Sequence, residues 1–498
     1  MTSIHRRNAR AGVAPSFAAL AFALALIVPA RAHAAPVLRM GAGGHITRAQ
    51  DPFVPAGLPT PAPTPTAAAA SAKPKVKPKP KRKPQKTVSS ELKRLLRAHA
   101  ITSSQYGTYN GDWNAALKTQ RHLHGTPAKE LEAVIENMHD IAVAGKLTSG
   151  RLPALFLTLG YNRQWWASGR VPSSGSYVEF TDSALVWEYY AGQGIELQVL
   201  ATFGKADGLY TAGPSEYSQM QALLAQMIPL AVDRAGGPVW EYYFQFGGGK
   251  PPWTSAMSQG TGIEALTRAF LASHDPSYLQ LAHGALGLFT ARPPAGVRVS
   301  TPLGARYVQY SFTPGTSIIN AFLQSLIGLY DYAQASRDPQ AQQLFNAGNA
   351  EAEAEVPQFD TGAWSLYQPG VEDTLSYHEL VTGFLDQLCA RTDARAYCTT
   401  AQHFHDYLTE PPALTLLTTR IRHGRRATIR FRLSKVSHVG IVLVRGAQTV
   451  FQTSAGFSHG VHAFAIPALR RRGDYAVRLA ATDLAGNFAR ISGTVQVN

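Results

Sequence analysis

Apolar and polar positions change their spacing once along the chain, near residue 410. Between residues 91 and 410, apolar residues recur every three to four positions over long segments, which is the period of a helix with a buried face. Beyond residue 410 they alternate with polar residues in short runs separated by turn residues, at positions 427–433, 439–444, 449–452, 460–466, 473–480 and 492–497. The pattern predicts a helical body over residues 91–410 and an all-β sandwich over residues 411–498.

Two short motifs recur in the helical part. Trp-Glu-Tyr-Tyr occurs at 187–190 and again at 240–243, and Gly-x-Gly-Ile-Glu occurs at 192–196 and again at 260–264. We interpret each glycine motif as the opening of a helix.

Similar helices are expected to begin near Gly315 and Ser376. Helix starts spaced by about 55–70 residues, each pair separated by one more helix, predict a series of helical hairpins. The expected fold class is therefore mainly α. It is an (α/α) toroid or incomplete barrel whose inner helices present their N-terminal loops to a central cleft.

The first 34 residues have the pattern of a secretory signal peptide. Three arginines precede an apolar core at 17–28 that is too short to span a bilayer, and Ala-His-Ala follows at 32–34. An uncleaved N-terminal anchor is the alternative, and either one predicts a secreted or cell-surface protein. Residues 35–90 are rich in Pro and Lys, which favour an extended chain, so a disordered linker is expected there. This linker would be either a tether to anionic wall polymer or a solvated spacer.

Lys and Arg outnumber Asp and Glu by 47 to 32, a net charge of +15, and eight of the positive side chains lie between positions 73 and 86. This balance indicates an anionic partner such as an acidic polysaccharide or a cell-wall polymer. A nucleic acid is disfavoured, because the basic run lacks interleaved aromatic residues and the chain carries an export signal. No segment after the signal is long and apolar enough to predict a membrane span.

The chain has two cysteines, Cys389 and Cys398. In an exported protein this pair predicts a disulfide that closes a short loop between two helices. The sequence has no phosphate-binding glycine loop, nucleophile elbow or metal-ligand motif, so no metal site and no cofactor are predicted.

Tyrosines are concentrated on loops of the helical part, at positions 307, 310, 367 and 377. Removing the proton on carbon 5 of a uronic acid leaves an enolate-like species, and groups on opposite faces of the ring could deprotonate and reprotonate that carbon. A tyrosine serves as the base only where its neighbours lower its pKa from about 10. The alternative is that these tyrosines are core or sugar-stacking aromatics.

Four motifs follow in order between residues 236 and 408. They are Trp-x-Ser-Ala-Met-x-Gln-Gly at 253–260, Ser-Leu-Ile-Gly-Leu-Tyr-Asp at 325–331, Val-Pro-x-Phe-Asp-Thr-Gly at 356–362 and Tyr-His at 377–378. In these motifs the segment resembles the C-terminal domain of the D-glucuronyl C5-epimerase family. The resemblance implies an isomerase that inverts carbon 5 of glucuronic acid units in an acidic polysaccharide, by tyrosine-based proton abstraction and reprotonation.

The same resemblance assigns site residues. The implied catalytic residues are Tyr310, Tyr367 and Tyr377. The implied substrate-binding residues are Trp253, Ser255, Gln259, Gln309, Asn320 and His378. The resemblance leaves a divalent cation such as calcium open.

The segment also departs from the family pattern. Gln309 stands where the family has an acidic residue, a turn at Gly370 replaces an arginine, and Val381 replaces a second histidine. Two other functions therefore stay open. One is a polysaccharide lyase or a hydrolase on the same toroid, and the other is a non-catalytic protein that binds glycan or cell wall. The carboxylates available for hydrolysis are Glu241, Glu264 and Asp360.

The C-terminal strands carry Gly-Asp-Tyr-Ala-Val-Arg-Leu at 473–479 and Asp-Leu-Ala-Gly-Asn at 483–487. In this pattern they resemble Ig-like or fibronectin-type modules of secreted bacterial proteins. The resemblance implies an accessory or binding module, and its arginines are either part of a binding surface or a solvated face.

Overall fold

The computed structural model describes residues 34–55 and 86–498. The expected signal peptide at 1–34 lies almost wholly outside the described residues, as do residues 56–85 of the expected linker. Among the helices that are described, none is long and apolar enough to cross a membrane.

The first described elements are a β-hairpin and a bundle of four helices. Thr87 and Thr102 begin the first two helices, because each hydroxyl accepts a hydrogen bond at 3.1 Å from the backbone N–H three residues further on. The elements are β1 Ala35–Met40, β2 Ile46–Asp51, α1 Val88–Arg97, α2 Ser103–His122, α3 Gly125–Val143 and α4 Leu152–Ala167.

Three short strands then complete a five-stranded sheet of order β2-β1-β3-β4-β5. They are β3 Tyr177–Phe180, β4 Trp187–Tyr190 and β5 Gly194–Leu197. Trp187 and Ile195 on one face join the main hydrophobic core. The other face carries polar residues, with Glu188 opposite Tyr177 on one side and Glu196 on the other.

The prediction of a disordered linker is wrong for residues 35–51. Ala35 and Val37 are buried with Val54 and Val186, because β1 pairs in parallel with β3. The Pro- and Lys-rich composition begins only beyond these strands. The partner that orders β1 lies about 140 residues away, where Glu179 accepts from Arg39 at 2.7 Å.

Helical hairpins follow, as the spacing of helix starts predicted. Helices α5 and α6, α7 and α8, α10 and α11, and α12 and α13 pack in pairs, and α5, α7, α10 and α12 contact one another in that order. The elements are α5 Val199–Ala212, α6 Tyr217–Met227, β6 Val232–Arg234, β7 Gly237–Val239, α7 Ala256–Ser273, α8 Pro276–Ala285, α9 Gly287–Thr290, β8 Arg298–Ser300, β9 Ala305–Tyr307, α10 Ile319–Ser336, α11 Pro339–Glu355, β10 Leu366–Gln368, β11 Val371–Glu372, α12 Leu375–Thr392 and α13 Arg395–Tyr407.

The inner helices α7 and α10 are buried on almost every side and approach each other through glycine. A Cβ added to Gly328 would lie 2.1 Å from the carbonyl oxygen of Gly260, and one added to Gly260 would lie 2.7 Å from the Cα of Ser325. Main chain therefore meets main chain across this pair. A helix that is apolar all round is expected in such a buried position.

One of the two glycine motifs does not open a helix. Gly192 and Gly194 have φ angles of 79° and 90°, which form a turn leading into β5. A Cβ on Gly194 would also meet Val134 at 2.6 Å. The second copy, which includes Gly260 and Gly262, lies inside α7 with helical angles. The predicted helix at 192–196 is therefore wrong, since positive φ excludes it.

The C-terminal part is a sandwich of two sheets, of orders β12-β14-β17 and β13-β19-β18-β15-β16. The two sheets enclose their own apolar core, to which Phe431, Phe464 and Ile441 belong. Two predicted strands, 427–433 and 460–466, match β14 and β17, and the other predicted strands are longer than expected. The strands are β12 Leu414–Leu416, β13 Arg420–Ile421, β14 Ala427–Leu433, β15 Ser437–Arg445, β16 Gln448–Phe457, β17 Gly460–Ile466, β18 Gly473–Asp483 and β19 Phe488–Val497.

The sandwich contacts the helical body through one end. Glu372, in β11, accepts hydrogen bonds from the backbone N–H groups of Val436 at 2.8 Å and His459 at 2.7 Å. The Asn487 amide donates to the carbonyl of Leu408 at 2.9 Å. The end of the sandwich therefore lies against the β10–β11 hairpin and the C-terminal end of α13.

The predicted disulfide between Cys389 and Cys398 is present, with a Cα–Cα distance of 4.9 Å. It joins the last turns of α12 to the first turn of α13. Asp393 lies between them in the left-handed region, with a φ of 53°, and ends α12. The bridge therefore closes the last of the helical hairpins.

Candidate functional site

Three tyrosines meet at the ends of the inner helices. Tyr367 lies on β10 and Tyr377 in the first turn of α12, and their ring centres are 5.1 Å apart. Tyr310, in the loop before α10, shares a hydrogen bond with Tyr367. The structure thus brings together the three residues that the resemblance assigned to catalysis.

Aromatic side chains form a narrow cleft around Tyr310. Trp253 stacks on Tyr242 with 4.2 Å between ring centres and presents its edge to Tyr310 at 5.7 Å. The cavity is small, about 20 Å³. The residues that line the cleft are Tyr190, Gln198, Leu200, Tyr242, Phe244, Phe246, Trp253, Ser255, Gln309 and Tyr310.

Two predicted substrate residues lie together in this cleft. The Ser255 hydroxyl donates to Oε1 of Gln309 at 3.2 Å. It also accepts from the N–H of Ser258, so Ser255 caps the N-terminal end of α7. Gln309 can donate and accept hydrogen bonds but carries no charge. The cleft therefore has an amide where the family has an acidic group.

Asn320 and Gln259, also predicted to bind substrate, differ in their surroundings. Asn320 is 1% exposed, and neither of its amide atoms has a hydrogen-bond partner among the described residues. Such an amide is unusual, and it is able both to donate to and to accept from a ligand. The Gln259 amide instead donates to the carbonyls of Pro238 and Ala285, at 2.9 and 3.1 Å, and holds two loops. Its Oε1 is buried and has no hydrogen-bond partner among the described residues, so the assignment of Gln259 to substrate binding stays a prediction.

His378 belongs to a buried hydrogen-bond chain beside the tyrosines. Its Nε2 donates to the Phe404 carbonyl at 2.9 Å, and its Nδ1 lies 2.7 Å from the Ser365 hydroxyl, which lies 2.6 Å from Oδ2 of Asp373. Burial lowers the pKa of His378 to about 4, so the ring is neutral, and Nδ1 accepts a hydrogen bond from the Ser365 backbone N–H at 3.3 Å. Both ring nitrogens are thereby engaged, so His378 positions its neighbours rather than contacting a ligand.

Asp373 ends the same chain. The Ser365 hydroxyl donates to its Oδ2 at 2.6 Å, which favours the ionised carboxylate, but burial has the larger effect and raises the pKa of Asp373 to about 7. Asp373 in turn contributes to raising the pKa of Tyr367 and of Tyr377. It is a titratable group beside the tyrosines that sequence reasoning missed.

A second carboxyl group, Glu188, approaches the cleft from the sheet. Its Oε2 accepts hydrogen bonds from the Tyr190 hydroxyl at 2.9 Å and the Gln198 amide at 2.8 Å, and both partners line the cleft. Burial raises its pKa to about 7. Glu188 is also close enough to Tyr377 to contribute to the raised pKa of that tyrosine. Glu188 is the glutamate of the first Trp-Glu-Tyr-Tyr motif, and the recurrence of this motif indicated a repeat but not a carboxyl group beside the cleft.

The pKa values of the tyrosines shift upward. Burial is the main cause for Tyr310, Tyr367 and Tyr377, and neighbouring phenols or carboxyl groups add to it. These hydroxyls therefore stay protonated at neutral pH. They are suited to donate a proton, whereas a tyrosine base would need a lowered pKa.

The carboxylates considered for hydrolysis lie in separate structural pairs. Glu241 accepts from Arg151 at 2.6 Å and Arg234 at 2.7 Å. Glu264 pairs with Arg268, and Asp360 accepts from Tyr407 and pairs with His403. None of the three lines the cleft. In the part of the chain that the structure describes, no three His, Cys, Asp or Glu side chains come together as a metal site.

Fold and site together define a class of protein: consecutive helical hairpins with a tyrosine-lined cleft backed by two buried carboxyl groups. Residues 236–406 match the model of the family described as D-glucuronyl C5-epimerase C-terminus. Over 130 residues the chain is 39% identical to a D-glucuronyl C5-epimerase of Caenorhabditis elegans, covering 24% of this chain and 21% of that protein. The expected resemblance is confirmed: residues 236–406 match the D-glucuronyl C5-epimerase family.

Other similarities are more distant. An uncharacterised protein of Methanocaldococcus jannaschii is 24% identical over 136 residues, which cover 26% of this chain and 44% of that protein. A glycoside hydrolase family 76 α-mannanase of Bacteroides thetaiotaomicron superposes with a TM-score of 0.32 at 14% identity, covering 42% of this chain and 59% of the mannanase. The chain thus spans about a fifth of the nematode enzyme and less than half of the archaeal protein.

Proposed function

We propose that the chain is an exported carbohydrate epimerase that inverts carbon 5 of glucuronic acid units in an acidic polysaccharide. The observation that carries this proposal is the cluster of Tyr310, Tyr367 and Tyr377, of which Tyr310 lines the cleft, within the segment that matches the epimerase family. The consecutive hairpins, taken as an incomplete (α/α) toroid, would present this cleft to a polymer at the ends of the inner helices.

Glu188 would be the final acceptor of the carbon-5 proton. The Tyr190 hydroxyl lines the cleft and already donates to Glu188, so it can take the substrate proton while it passes its own proton to the carboxylate. This pair would supply the carboxylate that Gln309 lacks. A pKa near 7 leaves Glu188 partly ionised at neutral pH, as a base requires.

The three clustered tyrosines would supply the proton that returns to the opposite face of carbon 5. Their raised pKa values keep them protonated until the enolate-like species needs a proton. After one inversion Glu188 is protonated and one tyrosine is ionised. A proton transfer back to the tyrosine, or turnover in the reverse direction, restores the starting state without any other reactant.

The substrate carboxylate would meet neutral donors. Asn320 has an unpartnered buried amide, and Gln309 and Ser255 line the cleft. A lyase on the same site is the second candidate, because expulsion of the group at carbon 4 would follow the same proton removal. Hydrolysis is disfavoured, since Glu241, Glu264 and Asp360 are held in structural pairs away from the cleft.

Hydrogen exchange at carbon 5 tests the proposal. Residues 35–498 are incubated with heparosan and with glucuronan in D₂O, and NMR reads deuterium at carbon 5 and the ratio of stereoisomers. We expect deuterium and inverted product with the wild type, and loss of both with Tyr367→Phe or Tyr377→Phe. Tyr332→Phe, a buried tyrosine near the far end of α10, is the control and should exchange normally.

Two results would contradict the proposal. Unsaturated products that absorb in the ultraviolet would assign a lyase. Absence of exchange on polymers that the protein nevertheless binds would assign a binding protein without catalysis.

A further inference from the structure

The charge of the chain is divided unevenly between its two folded parts. The sandwich, residues 411–498, has thirteen Lys and Arg against two Asp and no Glu, a net charge of +11. The helical body, residues 87–410, has twenty Lys and Arg against twenty-nine Asp and Glu, a net charge of −9. A polyanion is therefore repelled overall by the part that holds the cleft and attracted by the sandwich.

Nearly all of the positive charge on the sandwich faces solvent. Eleven of its arginines are exposed, and Arg445 is half-buried. Lys435 is buried in an ion pair with Asp483 at 2.8 Å. Asp474 is thus the single acidic side chain left on a surface with eleven exposed arginines, so the excess charge is not neutralised locally.

The strand register places two of these arginines side by side on the outer face of the five-stranded sheet. Arg478 of β18 lies opposite Ser492 of β19, and Arg490 of β19 lies opposite Ala480 of β18. As diagonal neighbours on one face, their Cβ atoms are about 7–8 Å apart. The alternate positions of β18 are buried in the sandwich core, so both arginines are directed away from it.

The rest of this face is flat and adds one large apolar side chain. Gly440 of β15 lies opposite Ala480, and Ser454 of β16 lies opposite Gly440, so a row of small residues extends from Arg490 across the sheet. Phe488, two positions before Arg490, is 56% exposed. An exposed phenylalanine beside paired arginines suits a ligand with apolar ring faces and anionic groups.

We propose that this face, defined by Arg478, Arg490 and Phe488, binds a chain of an acidic polysaccharide and holds it for the cleft. The arginines pair with uronate carboxylates, and Phe488 packs on a sugar ring. The choice of an acidic glycan as the ligand rests on the proposed function. The net charge of the sandwich and the register of β18 and β19 are observed independently of that function. Single-stranded nucleic acid is the less suitable ligand, because it is bound by several stacking aromatics and this face exposes one.

The face begins next to the site. The N–H of Val436 donates to Glu372, and His438 follows two residues later. Across the sheet, His438 lies opposite Thr482, and Thr482 lies opposite Phe488. Glu372 is in β11, between Tyr367 and Tyr377. A polymer held on the sandwich is thereby kept close to the loop that carries these tyrosines, which raises its effective concentration there.

The test is a binding comparison of full-length variants. Arg478→Gln/Arg490→Gln is matched with Arg121→Gln/Arg395→Gln, which removes the same charge from exposed positions on the helical body. Affinity for heparosan is measured at low salt. We expect the sandwich variant to lose roughly tenfold to a hundredfold in Kd, since charged hydrogen bonds are removed, and the body variant to change less than about twofold.

The results separate this inference from the epimerase proposal. If the enzyme turns over, the sandwich variant should raise KM for the polymer and leave kcat on a uronate tetrasaccharide unchanged. If nothing turns over, the binding measurement alone decides. Equal affinity in the wild type and the sandwich variant, an equal loss in both variants, or tighter binding of single-stranded DNA than of heparosan would overturn the inference.

Discussion

Lys435 of the sandwich lies 5.4 Å from the centre of the Trp364 indole, on the helical body. Trp364 stacks in turn on His378, with 3.9 Å between ring centres. The Lys435 ammonium pairs with Asp483 at 2.8 Å and donates to the Tyr407 carbonyl at 2.7 Å. The sandwich and the residues beside the tyrosine cleft therefore share one packed stack, which is not expected of a freely tethered accessory module.

Replacing Lys435 by Met should destabilise the protein strongly. The substitution leaves Asp483 buried without its cation, which costs about 3–5 kcal/mol. Urea unfolding followed by tryptophan fluorescence measures the loss. Lys435→Met/Asp483→Asn should recover part of it, and an unchanged urea midpoint for Lys435→Met would show that the buried pair does not contribute to stability.

Replacing Glu188 by Gln should remove the proton acceptor and keep the hydrogen bonds to Tyr190 and Gln198. We expect carbon-5 exchange to fall by about 10²–10⁴-fold, the usual contribution of a general base. The exposed Glu132, changed to Gln, is the control. Normal exchange in Glu188→Gln would exclude Glu188 as the acceptor.

The pH profile provides a separate test of Glu188. Only the ionised carboxylate accepts a proton, so the wild-type rate should rise with pH through about 7 and then level off. Glu188→Asp should retain a profile of this shape at a lower rate. A wild-type rate that falls as pH rises through 7 would assign the essential group in this range to an acid.

Ionisation of Asp373 should lower the free energy of unfolding as pH rises. Its pKa is raised from the ordinary value to about 7, so between about pH 4 and 7 the folded protein holds a proton that the unfolded chain has lost. Unfolding free energy therefore falls with rising pH over this window. Asp373→Asn imitates the protonated form and should be more stable than the wild type at pH 8, by an amount on the order of a few kcal/mol.

Urea unfolding of both proteins at pH 5 and pH 8 checks this prediction. The lowered pKa of His378 gives the opposite slope, a stability that is lost as pH falls below about 6.5, but it is present in both proteins and cancels in their difference. A difference between the two proteins that is the same at both pH values would show that Asp373 does not titrate in this range.

Gly328→Ala should separate α7 from α10. Its Cβ would lie 2.1 Å from the Gly260 carbonyl oxygen, so the helices must shift, at a cost of about 1–3 kcal/mol or more. Gly383→Ala, in α12, is the matched control, because its Cβ would meet no atom within 4 Å. There alanine should be neutral or stabilising by up to about 1 kcal/mol. Thermal melting of both variants measures the contrast, and equal melting temperatures would contradict the packing.

Much of the fold could be predicted because its signals are local. The apolar period gave the helical hairpins, and alternation gave β14 and β17 residue for residue. The hairpin of β1 and β2 was missed because the burial of Ala35 and Val37 depends on β3, which comes far later in the chain. The glycine motif at 192–196 was misread because its turn depends on Glu130 of α3, which accepts hydrogen bonds from the backbone N–H groups of Gly192 and Gly194.

The site residues likewise divide into those that local motifs predicted and those that contacts between distant parts of the chain determine. The motifs identified Tyr310, Tyr367 and Tyr377, which do meet. They could not show that the Gln259 amide nitrogen and the ring nitrogens of His378 bond to other parts of the chain, since hydrogen-bond partners are set by tertiary contacts. Asp373 and Glu188 were missed for a related reason. Burial raises their pKa values, and the burial of a residue cannot be inferred from a short motif.

The cleft has two walls from different parts of the chain. Tyr310 and Trp253 come from residues 236–406, whereas Tyr190, Gln198 and Leu200 come from the segment before it. Similarity to the family therefore covers seven of the ten residues that line the pocket. A fragment cut at the limits of that similarity would keep the three clustered tyrosines and lose Tyr190, Gln198 and Leu200, so the unit that can act on a ligand is larger than the unit that sequence comparison delimits.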